Sequence, residues 1–259
     1  MAIVLNRSVM MLKKRILILT LISCALALLL LIAENQANFI RTNANEMPEN
    51  DSESKKKNIT YYTKYYQTKK SIYDSYKHQE SETIFLGDSL TDYYEWGEAL
   101  SDHQVLNRGI AGDTTTGVIN RIEEITNANP ARLYLMIGIN DMIAGQSIEK
   151  IETNYKYILD TIKKKSPTTS VYVQSLLPIN KKLTRHNVRN QDIKKLNEQI
   201  KNLALLYDYQ YIDLHPDFLK YGQLNKDYTY DGLHLNGEGY KVWTKKLMTT
   251  YNTDSDTIE

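Results

Sequence analysis

The feature that most constrains the fold is an alternation of short apolar segments with helix-like stretches along residues 83–250. Apolar strands that alternate with helices favour parallel pairing, because each helix carries the chain back to begin a neighbouring strand. The sequence therefore predicts an α/β fold, a three-layer α/β/α sandwich around a parallel sheet. The predicted strands are Thr83–Leu86, Val105–Asn107, Leu133–Ile137, Val171–Gln174 and Tyr211–Asp213, and the predicted helices fall near 115–127, 147–165, 190–207 and 237–250.

An uninterrupted uncharged run occupies residues 16–33. Its length lies within the ~17–25 apolar residues that a helix needs to cross a bilayer. The preceding residues 1–15 carry four basic side chains and no acidic one, which predicts a cytoplasmic N-terminus and an exported remainder. We therefore expect one N-terminal transmembrane helix, a retained signal anchor in the cell membrane, with the following domain extracellular.

The alternative for the same run is a cleavable signal peptide followed by secretion. The run is longer than the ~7–15 residues of a typical signal-peptide core, and no clean small-residue cleavage site follows it. The retained anchor is therefore the favoured interpretation.

The remaining chain divides into a tether, a domain and a tail. Residues 34–59 are polar without apolar periodicity, which is typical of a flexible tether. Residues 60–250 hold the alternating pattern and form the predicted domain, and residues 251–259 are a C-terminal tail. Tyrosines from Tyr61 onward recur at roughly helical spacing, which predicts a helix that packs them on the domain while its lysines face water.

Composition excludes several classes of function. The 32 Lys and Arg against 31 Asp and Glu give a net charge of +1, which argues against a nucleic-acid binder. Cys24 is the single cysteine, so there is no intrachain disulfide and no cysteine cluster for zinc. The five histidines show no metal-binding spacing, so we expect neither a metal nor another cofactor.

Four short polar segments stand just after predicted strands or near the C-terminus. In open parallel sheets, ligands bind outside the carboxyl ends of the strands. The sequence therefore predicts that these segments meet at one site. They are Gly87–Leu90, Asn107–Thr114, Gly138–Asp141 and Asp231–His234.

Together the segments supply the groups that acyl transfer needs. Ser89 is the candidate nucleophile, His234 the base that takes its proton, and Asp231 the carboxylate that orients the base. The backbone N–H groups of Ser89 and Gly112 and the side-chain amide of Asn140 are candidate donors for an oxyanion hole. Each segment alone occurs by chance, and the prediction depends on finding all four in order.

Neighbouring residues have plainer interpretations. Asp88 and Asp141 are expected to hold loops by accepting backbone hydrogen bonds, and His215 is expected to be structural. Trp96 is a candidate substrate-binding residue that walls the pocket, or else a core residue. The basic stretch Asn180–Gln191 is first a solvated loop and secondly a substrate-facing flap.

The four segments resemble those of the GDSL or SGNH hydrolases, whose conserved blocks carry Ser, Gly, Asn and His. The phrases FLGDSLTDYYEW, NRGIAGDTT, LMIGINDM and DGLHLNGEGY are similar to the bacterial branch related to platelet-activating-factor acetylhydrolase subunits. The resemblance covers about residues 60–250 and implies a flavodoxin-like parallel sheet and serine esterase activity. Matched by position, the family's catalytic roles fall on Ser89, Gly112, Asn140, Asp231 and His234.

The expected function is a serine esterase that cleaves carboxylic esters through an acyl-enzyme. The polar segments around the site favour short acyl groups such as acetyl, on an envelope glycan or a small polar carrier. The alternatives are a lysophospholipase or lipase, a thioesterase, an acyltransferase, and a non-enzymatic envelope binding protein that keeps the fold. The expected partners are an ester substrate and the membrane, without nucleic acid.

Overall fold

The structure is a computed structural model that describes residues 63–76 and 83–255. The predicted anchor at 16–33, the tether at 34–59 and residues 256–259 of the predicted tail lie outside the described residues. Within the described ranges, none of the helices is both long and apolar enough to cross a membrane.

The described residues form nine α-helices, two short 3-10 helices and seven strands. In chain order, the elements are α1 (Lys64–Asp74), β1 (Thr83–Gly87), α2 (Ser89–Asp92), α3 (Trp96–Leu100), β2 (Val105–Gly109), α4 (Thr115–Ile119), α5 (Ile122–Ala128), β3 (Arg132–Met136), α6 (Ile139–Ile143), α7 (Ile148–Lys165), β4 (Ser170–Gln174), α8 (Asn190–Leu206), β5 (Gln210–Ile212), the 3-10 helix His215–Phe218, β6 (Leu219–Lys220), β7 (Gln223–Leu224), the 3-10 helix Lys226–Tyr228 and α9 (Gly237–Ser255).

A parallel sheet with strand order β2-β1-β3-β4-β5 lies at the centre. This order is the doubly wound, flavodoxin-like one, so the predicted sheet is confirmed. All five predicted strands are present, with bounds that differ by one or two residues. The last helix runs to Ser255 rather than ending near residue 250.

Both faces of the sheet are covered. Successive strand residues point to opposite faces, and every residue of β1 and β3 is buried. The covering helices α7 and α8 pack against each other, and α7 also contacts α4 and α5, while α9 packs against α3. This layering explains why β1 and β3 are nearly continuous apolar runs rather than alternating apolar and polar residues.

Trp96 lies in the core, which corrects its assignment as a substrate-binding residue. Its side chain is 1% exposed, its ring stacks on Phe85 at 4.1 Å between centroids, and it meets Trp243 edge-on at 5.0 Å. Its indole N–H donates to the carbonyl of Thr91 at 2.9 Å. An indole packed and hydrogen-bonded in this way offers no surface to a ligand, so the alternative prediction of a core residue is the correct one.

Candidate active site

The carboxyl ends of β1, β2 and β3 stop at one level of the sheet. Gly87 at the end of β1 pairs in register with Gly109 of β2 and with Met136 of β3. The segments that follow these strands therefore leave the sheet side by side. A hydrogen bond from the Ile110 N–H to the Gly87 carbonyl, at 3.1 Å, joins the first two segments directly.

Ser89, His234 and Asp231 form a connected line of hydrogen bonds. The Ser89 Oγ lies 3.0 Å from His234 Nε2, and His234 Nδ1 lies 2.7 Å from Asp231 Oδ2. The ionised carboxylate can only accept, so the ring proton sits on Nδ1 and leaves Nε2 free to accept from the serine hydroxyl. The structure thus brings Ser89 to the pair Asp231 and His234, although Ser89 and His234 are 145 positions apart in the sequence.

The Asp231 carboxylate is oriented by the backbone of its own turn. Its Oδ1 accepts from the backbone N–H of Leu233 at 2.9 Å and of His234 at 2.8 Å. Burial alone raises the pKa of Asp231, but the hydrogen bonds from the His234 ring and from these two amides outweigh it and lower the pKa. Asp231 therefore stays ionised at neutral pH and holds the imidazole in one tautomer.

Gly232 is required by this turn. Its φ is +82°, and a Cβ there would lie 2.6 Å from the Asn180 carbonyl oxygen and 2.8 Å from the Thr184 nitrogen. The basic stretch predicted as a loop or flap therefore packs against the turn that carries Asp231 and His234. Its backbone is tied there by the Asn180 N–H, which donates to the Gly232 carbonyl at 2.8 Å.

Ser89 begins helix α2 directly at the end of β1. The Asp88 carboxylate caps this helix by accepting from the Leu90 N–H at 3.0 Å. As the first residue of the helix, Ser89 has a backbone N–H without an acceptor inside the helix. The Tyr240 hydroxyl donates to the Leu90 carbonyl at 2.8 Å and so joins α9 to the turn that carries Ser89.

Gly112 lies in the segment 109–117, named here the Gly112 loop. Ile110 to Asp113 form a turn closed by the Asp113 N–H on the Ile110 carbonyl at 3.0 Å. Gly112 is the third residue of this turn with φ +80°, which is the position where a type II turn requires glycine. Its N–H belongs to the central peptide of the turn and takes no part in the closing bond.

Asn140 is joined to the same loop. Its Nδ2 donates to the Asp113 carbonyl at 2.8 Å, one residue beyond Gly112, and a second N–H remains on this nitrogen. Next to it, the Asp141 carboxylate accepts from the backbone N–H and the hydroxyl of Thr115. The structure thus places the predicted oxyanion donors on segments that are bonded to one another.

Three buried carboxylates, those of Asp88, Asp113 and Asp141, lie next to the site segments together with buried Arg121, which the sequence did not indicate. Arg121 forms an ion pair with Asp113 at 2.8 Å and donates to the Gly87 carbonyl at 3.1 Å. Burial raises the pKa of Asp88 to about 7 and of Asp141 to about 6, and nearby Asp113 adds to both shifts. No sequence motif marks Arg121, because its importance comes from distant carbonyls that the fold brings to it.

Tyr93 is a second residue that the sequence reasoning did not assign to the site. Its ring lies 5.3 Å from the His234 ring between centroids, and its side chain is 57% exposed. It lies four residues after Ser89 in the polar segment that follows β1. This position is the sequence feature that could have indicated Tyr93 as a site residue. Tyr93 places an aromatic wall beside the His234 imidazole.

His215, expected to be structural, is buried. Its Nδ1 lies 3.0 Å from the Leu176 carbonyl oxygen, and its backbone N–H donates to the Ser175 hydroxyl at 2.9 Å. In the ranges 63–76 and 83–255, no three His, Cys, Asp or Glu side chains are grouped as metal ligands.

Comparisons with known proteins cover the same part of the chain. The model of the GDSL-like Lipase/Acylhydrolase family matches residues 85–242, which include all five residues assigned to the site. Platelet-activating factor acetylhydrolase IB subunit alpha2 of Rattus norvegicus is 30% identical over 179 residues, covering 66% of this chain and 76% of the relative. Subunit alpha1 of Bos taurus is 30% identical over 172 residues, 63% of this chain and 72% of the relative.

A solved structure shares the fold. The GDSL-like lipase of Bacteroides thetaiotaomicron superposes with a TM-score of 0.63 and 22% identity, over 73% of this chain and 98% of that one. At this identity the likeness supports the architecture alone.

We predict that Asp88 makes folding stability depend on pH. Its raised pKa means that the folded state binds a proton between about pH 4 and 7 where the unfolded state does not, so stability falls as pH rises through this window. Asp88→Asn keeps the cap acceptor without the charge. The melting temperature of Asp88→Asn minus that of the wild type should grow from pH 4.5 to 7 and level off above.

Asp160→Asn is the control, because it removes a partly exposed carboxylate that pairs with the exposed Lys164. The melting temperature of Asp160→Asn minus that of the wild type should not show the same rise between pH 4.5 and 7. A difference for Asp88→Asn that stays constant from pH 4.5 to 8 would contradict the prediction.

Proposed function

Because the chain belongs to the GDSL-like lipase/acylhydrolase family and is an ester-cleaving hydrolase, we propose that it works through an acyl-enzyme on Ser89. The observation that carries this proposal is the hydrogen-bonded line from Ser89 Oγ through His234 to Asp231, at 3.0 and 2.7 Å. A serine hydroxyl is a weak nucleophile unless a neighbouring base takes its proton. The line supplies that base together with the group that orients it.

In the first half-reaction, the Ser89 Oγ attacks the ester carbonyl carbon while its proton passes to His234 Nε2. The imidazolium that forms is stabilised by the ionised Asp231 on its other side. When the carbon–oxygen bond of the alcohol breaks, His234 returns the proton to the leaving oxygen. The products are an alcohol and an acyl ester of Ser89.

In the second half-reaction, a water molecule takes the place of the alcohol. His234 accepts a proton from this water as its oxygen attacks the acyl carbon, and then protonates the Ser89 Oγ as that bond breaks. In both halves the negative carbonyl oxygen needs donors, which we assign to the N–H groups of Ser89 and Gly112 and to Asn140 Nδ2. Each of these groups retains an N–H that its local turn or helix does not use.

We propose that the acyl group is short, such as acetyl, and that its carrier is polar. The residues around the nucleophile support this, since the exposed Tyr93 beside His234 offers an aromatic face of the kind that suits sugar rings and hydroxyls. The two mammalian relatives carry the word acetylhydrolase in their names. The alternative is a longer acyl chain, which the exposed Leu183 next to Gly232 would favour.

Hydrolysis by the wild type should depend on Ser89 and His234. Ser89→Ala and His234→Ala should each lower kcat by at least about 10⁴-fold, because the members of such a unit depend on one another. His103→Ala is the matched control, since His103 is exposed and precedes the amino end of β2, whereas the site lies at the carboxyl ends of the strands. The measurement is p-nitrophenyl acetate hydrolysis together with thermal melting; activity retained in Ser89→Ala would refute the proposal.

The acyl preference is tested by comparing kcat/KM for p-nitrophenyl acetate, butyrate, octanoate and palmitate on the wild type. Each buried CH₂ contributes about 0.8 kcal/mol when a channel receives it, so an enzyme with such a channel gains specificity as the chain lengthens. We expect kcat/KM to be highest for acetate or butyrate. A rise through octanoate would contradict the short-acyl proposal and favour a lipase or lysophospholipase.

We also propose that residues 16–33 anchor the enzyme in the cell membrane with its catalytic domain outside. The support is the uncharged run and its basic flank, both in the sequence alone. Protease added to intact protoplasts should remove the domain from about residue 40 onward. Full-length protein that is protected, or a soluble form that begins near residue 38, would contradict the retained anchor.

A further inference from the structure

Helix α1 precedes the residues that the family model matches, yet it contacts the Gly112 loop. The match begins at residue 85, whereas α1 spans Lys64–Asp74. The helix begins with a capped first turn, in which the Thr63 hydroxyl accepts from the Tyr66 N–H at 3.0 Å. The helix therefore has a capped first turn of its own.

Two buried tyrosines of α1 hold the two ends of the Gly112 loop. The Tyr73 hydroxyl donates to the Gly109 carbonyl at 3.0 Å, and the Tyr66 hydroxyl donates to the Gly117 carbonyl at 2.8 Å. Ile110, the first residue of the turn, is fully buried in a small apolar cluster with these two rings. The loop is thus held at both ends and packed in between by one helix.

The middle of the loop is held through Asp92. This residue ends helix α2, which begins with Ser89, and its Oδ2 accepts from the Ala111 N–H at 3.0 Å. From α1, the Tyr65 hydroxyl donates to the same oxygen at 2.7 Å, and the Lys69 ammonium lies 2.9 Å from Oδ1. One carboxylate therefore joins the nucleophile helix, the residue before Gly112 and helix α1.

The contact between Lys69 and Asp92 is partly removed from solvent. The Asp92 side chain is 4% exposed and the Lys69 side chain 25%. Burial by itself would lower the pKa of Lys69, but its hydrogen bonds with Tyr73 and Asp92 raise it above the ordinary value. The ammonium therefore stays charged, and charge-assisted bonds of this kind are stronger than neutral ones.

We propose that α1 is a clamp that positions the Gly112 N–H for the oxyanion, and that Asp92 is the positioning residue through which α1 acts on the loop. The inference rests on the proposed function, in which Gly112 is an oxyanion donor. The Ala111 N–H is fixed by Asp92 and the Asp113 N–H by the turn, so the intervening amide of Gly112 has a fixed direction. Asp92 and the residues of α1 act on the Gly112 loop and not on the reacting atoms.

The clamp acts on the transition state rather than on substrate binding. A donor that meets the oxyanion strengthens its bond only as negative charge develops on the carbonyl oxygen. A loop that is free to move weakens this bond, and small misplacements of a catalytic group cost up to about 10²-fold in rate. Loosening the clamp should therefore lower kcat while KM changes much less.

The test compares Asp92→Ala and Lys69→Met with the wild type, using full-length protein and p-nitrophenyl acetate. A fluorophosphonate titration counts the competent sites in each preparation, so that kcat is expressed per folded site and partial misfolding does not mimic the effect. We expect kcat per site to fall about 10- to 100-fold in Asp92→Ala and less in Lys69→Met, with KM little changed. Asp92→Asn, which can still accept from the Ala111 N–H, should recover part of the loss.

Lys70→Met is the matched control, because Lys70 pairs with Asp74 on the same helix and does not contact the loop. It should keep the kcat of the wild type. An unchanged kcat per site in Asp92→Ala, or a rise in KM alone, would overturn the clamp. Ser89→Ala measured alongside separates the two claims: if it is inactive while Asp92→Ala is fully active, the clamp fails and the proposed function stands, whereas an active Ser89→Ala refutes the proposed function.

Discussion

The site depends on the parallel register that ends three neighbouring strands together. Gly87 stands beside Gly109 and Met136, so the Ser89 turn, the Gly112 loop and the Asn140 segment leave the sheet from adjacent points. Hydrogen bonds from Ile110 to the Gly87 carbonyl and from Asn140 to the Asp113 carbonyl then join the three segments. A register shift of one residue would reverse the faces of the strand residues and move these groups apart.

The fourth segment reaches the site from the C-terminal part of the chain. The Asp231–His234 turn is fixed internally by the hydrogen bonds to the Asp231 carboxylate. It is fixed externally by the basic stretch Asn180–Gln191, which packs on Gly232. The site therefore combines a rigid sheet edge with a self-supporting turn. Beneath it, burial raises the pKa of the carboxyls of Asp88 and Asp141, while Arg121 pairs with Asp113 and donates to the Gly87 carbonyl.

Sequence patterns predicted the strands because a fully buried parallel strand is a continuous apolar run, and the segments after them because chemistry concentrates at strand ends. They did not distinguish between the two roles predicted for Trp96, because an indole close in sequence to Ser89 can either line a pocket or fill the core. Arg121 and Asp92 were missed for another reason. Their partners, Gly87, Ala111 and Lys69, are distant in sequence, and only the fold shows that they meet.

We propose Ser89 as the nucleophile that carries the acyl group. The most direct measurement is to react the wild type with a fluorophosphonate and map the modified residue by peptide mass spectrometry. We expect one adduct, on Ser89, whose formation slows strongly in His234→Ala because the serine proton then has no acceptor. An adduct on another serine, or equal rates of labelling with and without His234, would contradict it.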